Sequence, residues 1–165
     1  MQFRPLAKRD LPALAQMYTY YALHTVYTYY CYPASASYMG ELFKGRGHLC
    51  AVAAEEDCAV GYVHIAPSFS FSRKRCTVAV YLQPEFTNRG IGPQLVQYGE
   101  SMARAFGYQV IRAGVCSENV RSPAMFTHLG YTYAGEKKND GFKFKRPLDT
   151  RYYEKDLTLQ ESTDA

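Results

Sequence analysis

At 165 residues the chain has the length of one ordinary domain, and its 47% apolar and 21% charged content excludes a disordered polypeptide. Nineteen Lys and Arg against fifteen Asp and Glu leave a formal charge of +4, and the one dense basic run, Arg73-Lys74-Arg75, is too short for a nucleic-acid surface. Five cysteines (Cys31, Cys50, Cys58, Cys76, Cys116) stand singly with no histidine at ligand spacing, and no apolar run has the length of a bilayer span. A cytoplasmic protein of one domain over 1–165 is expected, without disulfides, metal, nucleic-acid partner or membrane anchor.

Taken in chain order, Gln2 to Arg4 reads as a short strand. Asp10 stands where it can cap a helix whose apolar positions Leu11, Leu14, Ala15, Met17, Tyr18, Tyr21 and Ala22 keep the helical period. Eight of the 16 tyrosines lie between Tyr18 and Tyr38. They are read either as aromatic packing or as a loop, Leu23 to Ser35, that walls a pocket, because tyrosine offers apolar area with a polar tip. Ser37 to Lys44 is a short helix stopped at Gly45-Arg46-Gly47. His48 to Ala54 and Ala59 to Ala66 form a hairpin across Glu55-Glu56-Asp57, and Arg75 to Leu82 extends it to an antiparallel meander of three.

The run Val80-Tyr81-Leu82-Gln83-Pro84 then leads into Asn88-Arg89-Gly90-Ile91-Gly92-Pro93. Proline ends the strand, glycines let successive N–H groups converge, and Pro93 suits the first position of a helix. Such a turn aims free N–H groups and a helix dipole at an anion. It has neither the Gly-Lys-Ser/Thr ending nor the third glycine of the commoner phosphate loops. The helix carries the stripe Leu95, Val96, Gly99, Met102, Ala103 and Phe106 and ends at Gly107. Tyr108 to Val115 is a buried strand, Asn119 to Leu129 a helix closed by Gly130, and Tyr131 to Gly135 and Arg151 to Thr158 are further strands, with a frayed tail from Gln160. The order predicts an α+β fold with a mixed, mostly antiparallel central sheet and helices on both faces.

The stretch Val80 to Gly130, with the glycine turn and with Asn119-x-x-Ser122-x-x-Met125-Phe126-x-x-x-Gly130-Tyr131, resembles the GNAT superfamily of acetyl-CoA-dependent N-acetyltransferases. Gly141-Phe142-Lys143-Phe144-Lys145-Arg146-Pro147-Leu148-Asp149 before the last strand resembles the phosphinothricin acetyltransferase subgroup, which acetylates small amino-acid-like amines. The resemblance implies a homodimer and a GNAT-like fold. It further implies that backbone groups of Val80, Tyr81 and Leu82 hold the pantetheine arm of acetyl-CoA, and that N–H groups around Asn88, Arg89, Gly90, Ile91, Gly92 and Pro93 hold its pyrophosphate. Asn119, Ser122 and Phe126 lie near the same arm in that alignment.

Three positions depart from the pattern. Thr87 opens the turn where glutamine or arginine is usual. Thr77 stands where the subgroup carries a glutamate as candidate base, and Phe126 where a tyrosine or histidine often serves as acid. The chemistry implied is direct attack of a neutral amine on the thioester, with N–H groups stabilising the oxyanion. An α-amine with a pKa of about 8 is roughly one-tenth neutral at pH 7, a cost of only about 1.4 kcal/mol, so loss of both groups is expected to slow the reaction without abolishing it. A non-catalytic acyl-CoA-binding or sensing domain is the alternative. His64 on the meander is the remaining candidate catalyst, and Cys116 follows the buried strand near the expected thioester. His24, Tyr27, Arg73 and Arg75 are the candidate substrate contacts, the arginines because a guanidinium pairs with a carboxylate. Lys143 and Asp149 are expected to shape the pocket or a dimer contact.

Overall fold

The computed structural model describes residues 1–68 and 74–159, so Arg73 and the tail from Gln160 lie outside the described residues. One seven-stranded sheet has the order β1-β2-β3-β4-β5-β7-β6. Its strands are β1 (Gln2–Pro5), β2 (Leu49–Glu55), β3 (Cys58–Pro67), β4 (Arg75–Leu82), β5 (Val110–Cys116), β6 (Thr132–Lys143) and β7 (Arg146–Asp156). Among the described residues β4 and β5 are the parallel pair and all other neighbours run antiparallel, which is the mixed sheet expected.

The hairpin β2–β3 turns at Glu56 and Asp57, both with positive φ (47° and 68°), the conformation a two-residue turn needs to match the strand twist. Alternation along β2 and β3 then feeds two cores. Ala51, Ala53, Val63 and Ile65 face one side, packed by α3 (Ile91–Phe106) and by Phe126 of α4 (Ser122–His128). Val52 and Tyr62 face the other, where α1 (Leu11–His24) contributes Leu14, Met17, Tyr18 and Tyr21 and α2 (Ala36–Leu42) contributes Met39.

Beyond shifts of a residue or two at strand ends, the structure differs from the sequence reading at these points, each for a local reason. Asp10 does not cap α1 with its side chain. Its carboxylate instead accepts from the two terminal guanidinium nitrogens of Arg4 (2.7 and 2.9 Å) and from the Ala7 N–H (2.8 Å), tying β1 to the start of α1. Helix α2 starts at Ala36 because Ser35 caps it, its hydroxyl accepting from the Tyr38 N–H. Helix α3 starts at Ile91, so Pro93 is its third residue; that position also needs no N–H. Asn119 precedes α4, where its side chain turns the chain into the helix. The C-terminal signature is a hairpin rather than a segment ahead of one strand. β6 continues through the polar stretch Lys137 to Asp140, and Phe144 and Lys145 make the turn with φ of 51° and 63°.

Candidate functional site

Strands β4 and β5 pair over Arg75–Thr77 and Val110–Arg112, and beyond that the pairing ends. The sheet splits there. A cavity of about 540 Å³ lies in the opening, between Val78–Leu82 on one side and Gly114–Cys116 on the other. Its outer end is formed by Thr87, Asn88, Gly90, Gly92 and Pro93, and its floor by Asn119, Ser122, Met125 and Phe126. Tyr21 and Tyr27 close it from the α1 side.

The turn at the outer end winds through two left-handed residues, Asn88 (φ 60°) and Gly90 (φ 75°). Asparagine tolerates that conformation, glycine takes it freely, and the reversal sets the first N–H groups of α3 at the cavity edge. No acidic residue stands in the first turn of α3. The positive end of its dipole therefore meets no protein carboxylate there.

The sequence model of the acetyltransferase (GNAT) family matches residues 14–131. The chain belongs to that family. An L-amino acid N-acyltransferase of Escherichia coli is 29% identical over 169 residues, covering 99% of this chain and 97% of the relative. An L-methionine sulfoximine/L-methionine sulfone acetyltransferase of Salmonella typhimurium is 28% identical over 170 residues, covering 100% and 99%. A crystal structure of a GNAT superfamily phosphinothricin acetyltransferase from Sinorhizobium meliloti, in complex with acetyl-CoA, superposes with a TM-score of 0.87 at 26% identity, covering 99% of this chain and 94% of that one. The present GNAT chain is accordingly an acetyl-CoA-dependent N-acetyltransferase.

The residues of the split fit that co-substrate. A pantetheine arm carries two amides and suits an unpaired strand edge, and a pyrophosphate suits a helix start without acidic neighbours. Gly92 packs beside Met125 and Leu82, where a Cβ would stand 3.4 Å from Met125 Sδ and 3.7 Å from Leu82 Cδ1, in ordinary contact. Arg121, which the sequence reading passed over, adds a charged side chain to the lining.

Individual candidates fall into three groups. Val80, Tyr81, Leu82, Asn88, Gly90, Gly92, Pro93, Asn119, Ser122, Phe126 and Tyr27 all line the cavity. Some of their polar groups are already engaged. The Leu82 carbonyl accepts from the Tyr21 hydroxyl at 2.6 Å, and Asn119 Oδ1 accepts from the Arg121 and Ser122 N–H groups while Nδ2 donates to Ser122 Oγ. One Nδ2 hydrogen of Asn119 is left over from those bonds.

Arg89 and Ile91 are not among the residues that line the cavity. The Arg89 guanidinium lies 5.0 Å over the Phe86 ring, and Ile91 is buried in the core beneath α3.

His64, His24 and Arg75 stand elsewhere. His64 Nε2 is 3.0 Å from His48 Nδ1 and its ring packs edge-on to Phe43. Burial, and then the His48 charge, push its pKa down to about 4. Position on β3 decided this: His64 shares the face of Tyr62, under α2. His24 is at the exposed end of α1 beside Tyr20. Arg75 is committed to Glu154, which also accepts from Arg112 Nε at 2.9 Å, so a substrate carboxylate would compete with a half-buried ion-pair network.

The tyrosine-rich segment fulfils both readings. Tyr18, Tyr30 and Tyr38 stack on one another, while Tyr27 and Tyr29 turn towards the split. What holds this loop is Lys143, 3% exposed. Its Nζ donates to the carbonyls of Thr28 (2.8 Å), Tyr30 (3.0 Å) and Tyr21 (3.4 Å), and burial lowers its pKa. Asp149 shapes the neighbouring hairpin, accepting from the Asn139 N–H at 2.8 Å and from Lys138 at 3.2 Å. Neither role has a periodicity signal; the signature resemblance was the clue. Among the described residues no group of three His, Cys, Asp or Glu is placed to hold a metal, and no helix is long and apolar enough to cross a membrane.

Proposed function

We propose that the chain works as one cytoplasmic GNAT-like domain, paired as a homodimer, that acetylates the primary amine of a small amino-acid-like compound by direct attack within a ternary complex. The split between β4 and β5 carries this reading, because it joins an anion-seeking turn to a small pocket closed by tyrosines. In it, the strand edge Val80 to Leu82 and the spare amide hydrogen of Asn119 hold the pantetheine arm. The N–H groups from Asn88 to Gly92, with Arg121, hold the pyrophosphate.

The acetyl thioester supplies the electrophilic carbonyl. Tyr27, Gly114 and Cys116 bound both the main cavity and a second, smaller one of about 190 Å³, and there the amine meets that carbonyl. The relatives that act on L-amino acids, methionine sulfoximine or sulfone, and phosphinothricin support a substrate with an α-amine beside a carboxylate. A substrate of that size suits the smaller cavity better than an extended peptide does.

The test is thiol release from acetyl-CoA with a panel of L-amino acids, methionine sulfone, methionine sulfoximine and phosphinothricin. Turnover with one or more is expected, with no acetylated protein by intact mass spectrometry. Calorimetry showing no acetyl-CoA binding at millimolar concentration would sink the reading, and an acetyl group found on Cys116 would replace direct attack by a two-step route.

A further inference from the structure

The smaller cavity is backed by a chain of three hydroxyl and carboxyl groups on different elements. Tyr29 Oη lies 2.7 Å from Thr150 Oγ1, and Thr150 Oγ1 lies 2.8 Å from Asp140 Oδ2. Thr150 has one proton, and the carboxylate can only accept, so that proton points at Asp140. The Thr150 oxygen is then free to accept from Tyr29, whose hydroxyl has the Asp149 carbonyl, at 3.1 Å, as its second acceptor. Tyr29 has one proton for two acceptors, and through the shorter contact, to Thr150 Oγ1, the chain runs Tyr29 to Thr150 to Asp140. Tyr29 and Thr150 both line the smaller cavity, whereas the Asp140 side chain is 22% exposed and reaches water.

Resting on the acetylation reading above, we propose that Tyr29, Thr150 and Asp140 form a proton relay that leads from the amine in the smaller cavity to solvent, with Tyr29 the member that meets the amine. The bound ammonium gives a proton to Tyr29 Oη as Tyr29 passes its own to Thr150 Oγ1 and Thr150 passes its own to Asp140, which releases it to water. The neutral amine then forms the N–C bond and the C–S bond breaks. The nitrogen's second proton leaves by the same route, and the sulfur takes one from solvent. One N-acetyl product, one free thiol and one proton result from one ammonium and one thioester.

Two further observations fit a relay. Burial pushes the Tyr29 hydroxyl up to about 12, so it keeps a proton to pass on. The hydrogen bond from Thr150 holds Asp140 below the usual carboxylate range, so it releases what it receives. The titratable groups facing Tyr29 are Cys116 on β5 and Asp140 on β6, and Asp140 itself faces Lys137 at 3.0 Å.

The surrounding fold also serves this geometry. β6 slips register between Lys137 and Gly141, with Asn139 at a φ of 53°, which brings Asp140 to Thr150. Bulges of this kind re-aim side chains beside active sites.

The experiment measures acetyl transfer from pH 6.5 to 9.5 for the wild type and for Tyr29→Phe, Thr150→Val, Thr150→Ser and Asp140→Asn, with acetyl-CoA affinity by calorimetry alongside. Tyr29→Phe and Thr150→Val should lower kcat about 10²-fold at pH 7 with acetyl-CoA binding unchanged. That deficit should shrink as pH passes the amine pKa of about 8, because solvent then delivers the free base. Asp140→Asn should follow them, and Thr150→Ser should restore activity. A deficit that is constant across pH, or kcat unchanged in Tyr29→Phe, overturns the relay while leaving acetylation standing. A wild type with no turnover overturns acetylation itself. Should Tyr29→Phe not fold, the same two outcomes are read from Thr150→Val against Thr150→Ser.

Discussion

Substituting Gly141 by alanine tests the packing on which the smaller cavity depends. The glycine has an ordinary strand backbone, where alanine is normally favoured by roughly 0.5–1 kcal/mol. Here a Cβ would stand 2.5 Å from Tyr29 Cδ2 and 2.7 Å from both Cε2 and Cγ. Rotation about χ2 leaves Cγ where it is, so relief requires a new χ1 rotamer, which breaks the hydroxyl bonds of Tyr29, or movement of the loop. Lys143 opposes that by gripping the carbonyls on either side of Tyr29, at Thr28 and Tyr30.

Overpacking of this kind costs about 1–3 kcal/mol, and each hydroxyl bond lost by Tyr29 about 1 kcal/mol more. Gly141→Ala should therefore destabilise by about 2–4 kcal/mol, lowering Tm by about 5–15 °C for a chain of this size. Thermal melts of Gly141→Ala, Tyr29→Ala and the double variant give the decisive number. With the ring removed, the alanine should cost nothing, a coupling of about 2–4 kcal/mol. A Tm within 1 °C of wild type, or the same cost in both backgrounds, would refute the packing argument.

Lys143→Met removes three carbonyl contacts from a buried nitrogen and should cost about 2–3 kcal/mol in urea melts, raising KM for the amine while leaving acetyl-CoA affinity unchanged. His64→Gln should leave kcat/KM within about twofold, since the ring stands outside the cavity. It should also flatten the pH dependence of stability. A histidine held at about 4 instead of 6.5 binds its proton less readily when folded, so stability falls as pH drops from 6.5 to 4, by up to about 3 kcal/mol, and denaturant melts across that window should lose the slope in the variant. Gly90→Ala must place a side chain at a φ of 75° and should cost about 1–2 kcal/mol in Tm-derived stability. Displacing the start of α3 should also weaken acetyl-CoA binding about tenfold by calorimetry, and unchanged affinity would argue against the turn as the phosphate site.

Local chemistry made most of the elements legible. The alternation of β2 to β4, the stripe of α3 and the glycine turn each contain their own signal within a dozen residues, and the meander and the cavity's outer end are where those signals point. The continuation of β6 through Lys137-Lys138-Asn139-Asp140 was not legible, because its polar residues look like a loop until β7 pairs with them. Likewise Arg75, read by itself, looks like a partner for a substrate carboxylate, and only the approach of Glu154, 79 positions away, engages it.

Thr77 and Phe126 appeared to leave the site without proton-transfer groups, since a comparison along the chain searches the family's positions. The sequence by itself determined an α+β domain with an anion-seeking turn after β4, because strand period, proline, glycine and helix dipole act over neighbouring residues, while its likeness to the GNAT family rested on motif resemblance. Tertiary structure alone decided where the strands part and which side chains meet in the gap. Tyr29, Asp140 and Thr150 lie on a loop and two strands separated by more than a hundred residues at the extreme, and it is the register slip of β6, the bare Cα of Gly141 and the grip of Lys143 that bring them within hydrogen-bond distance.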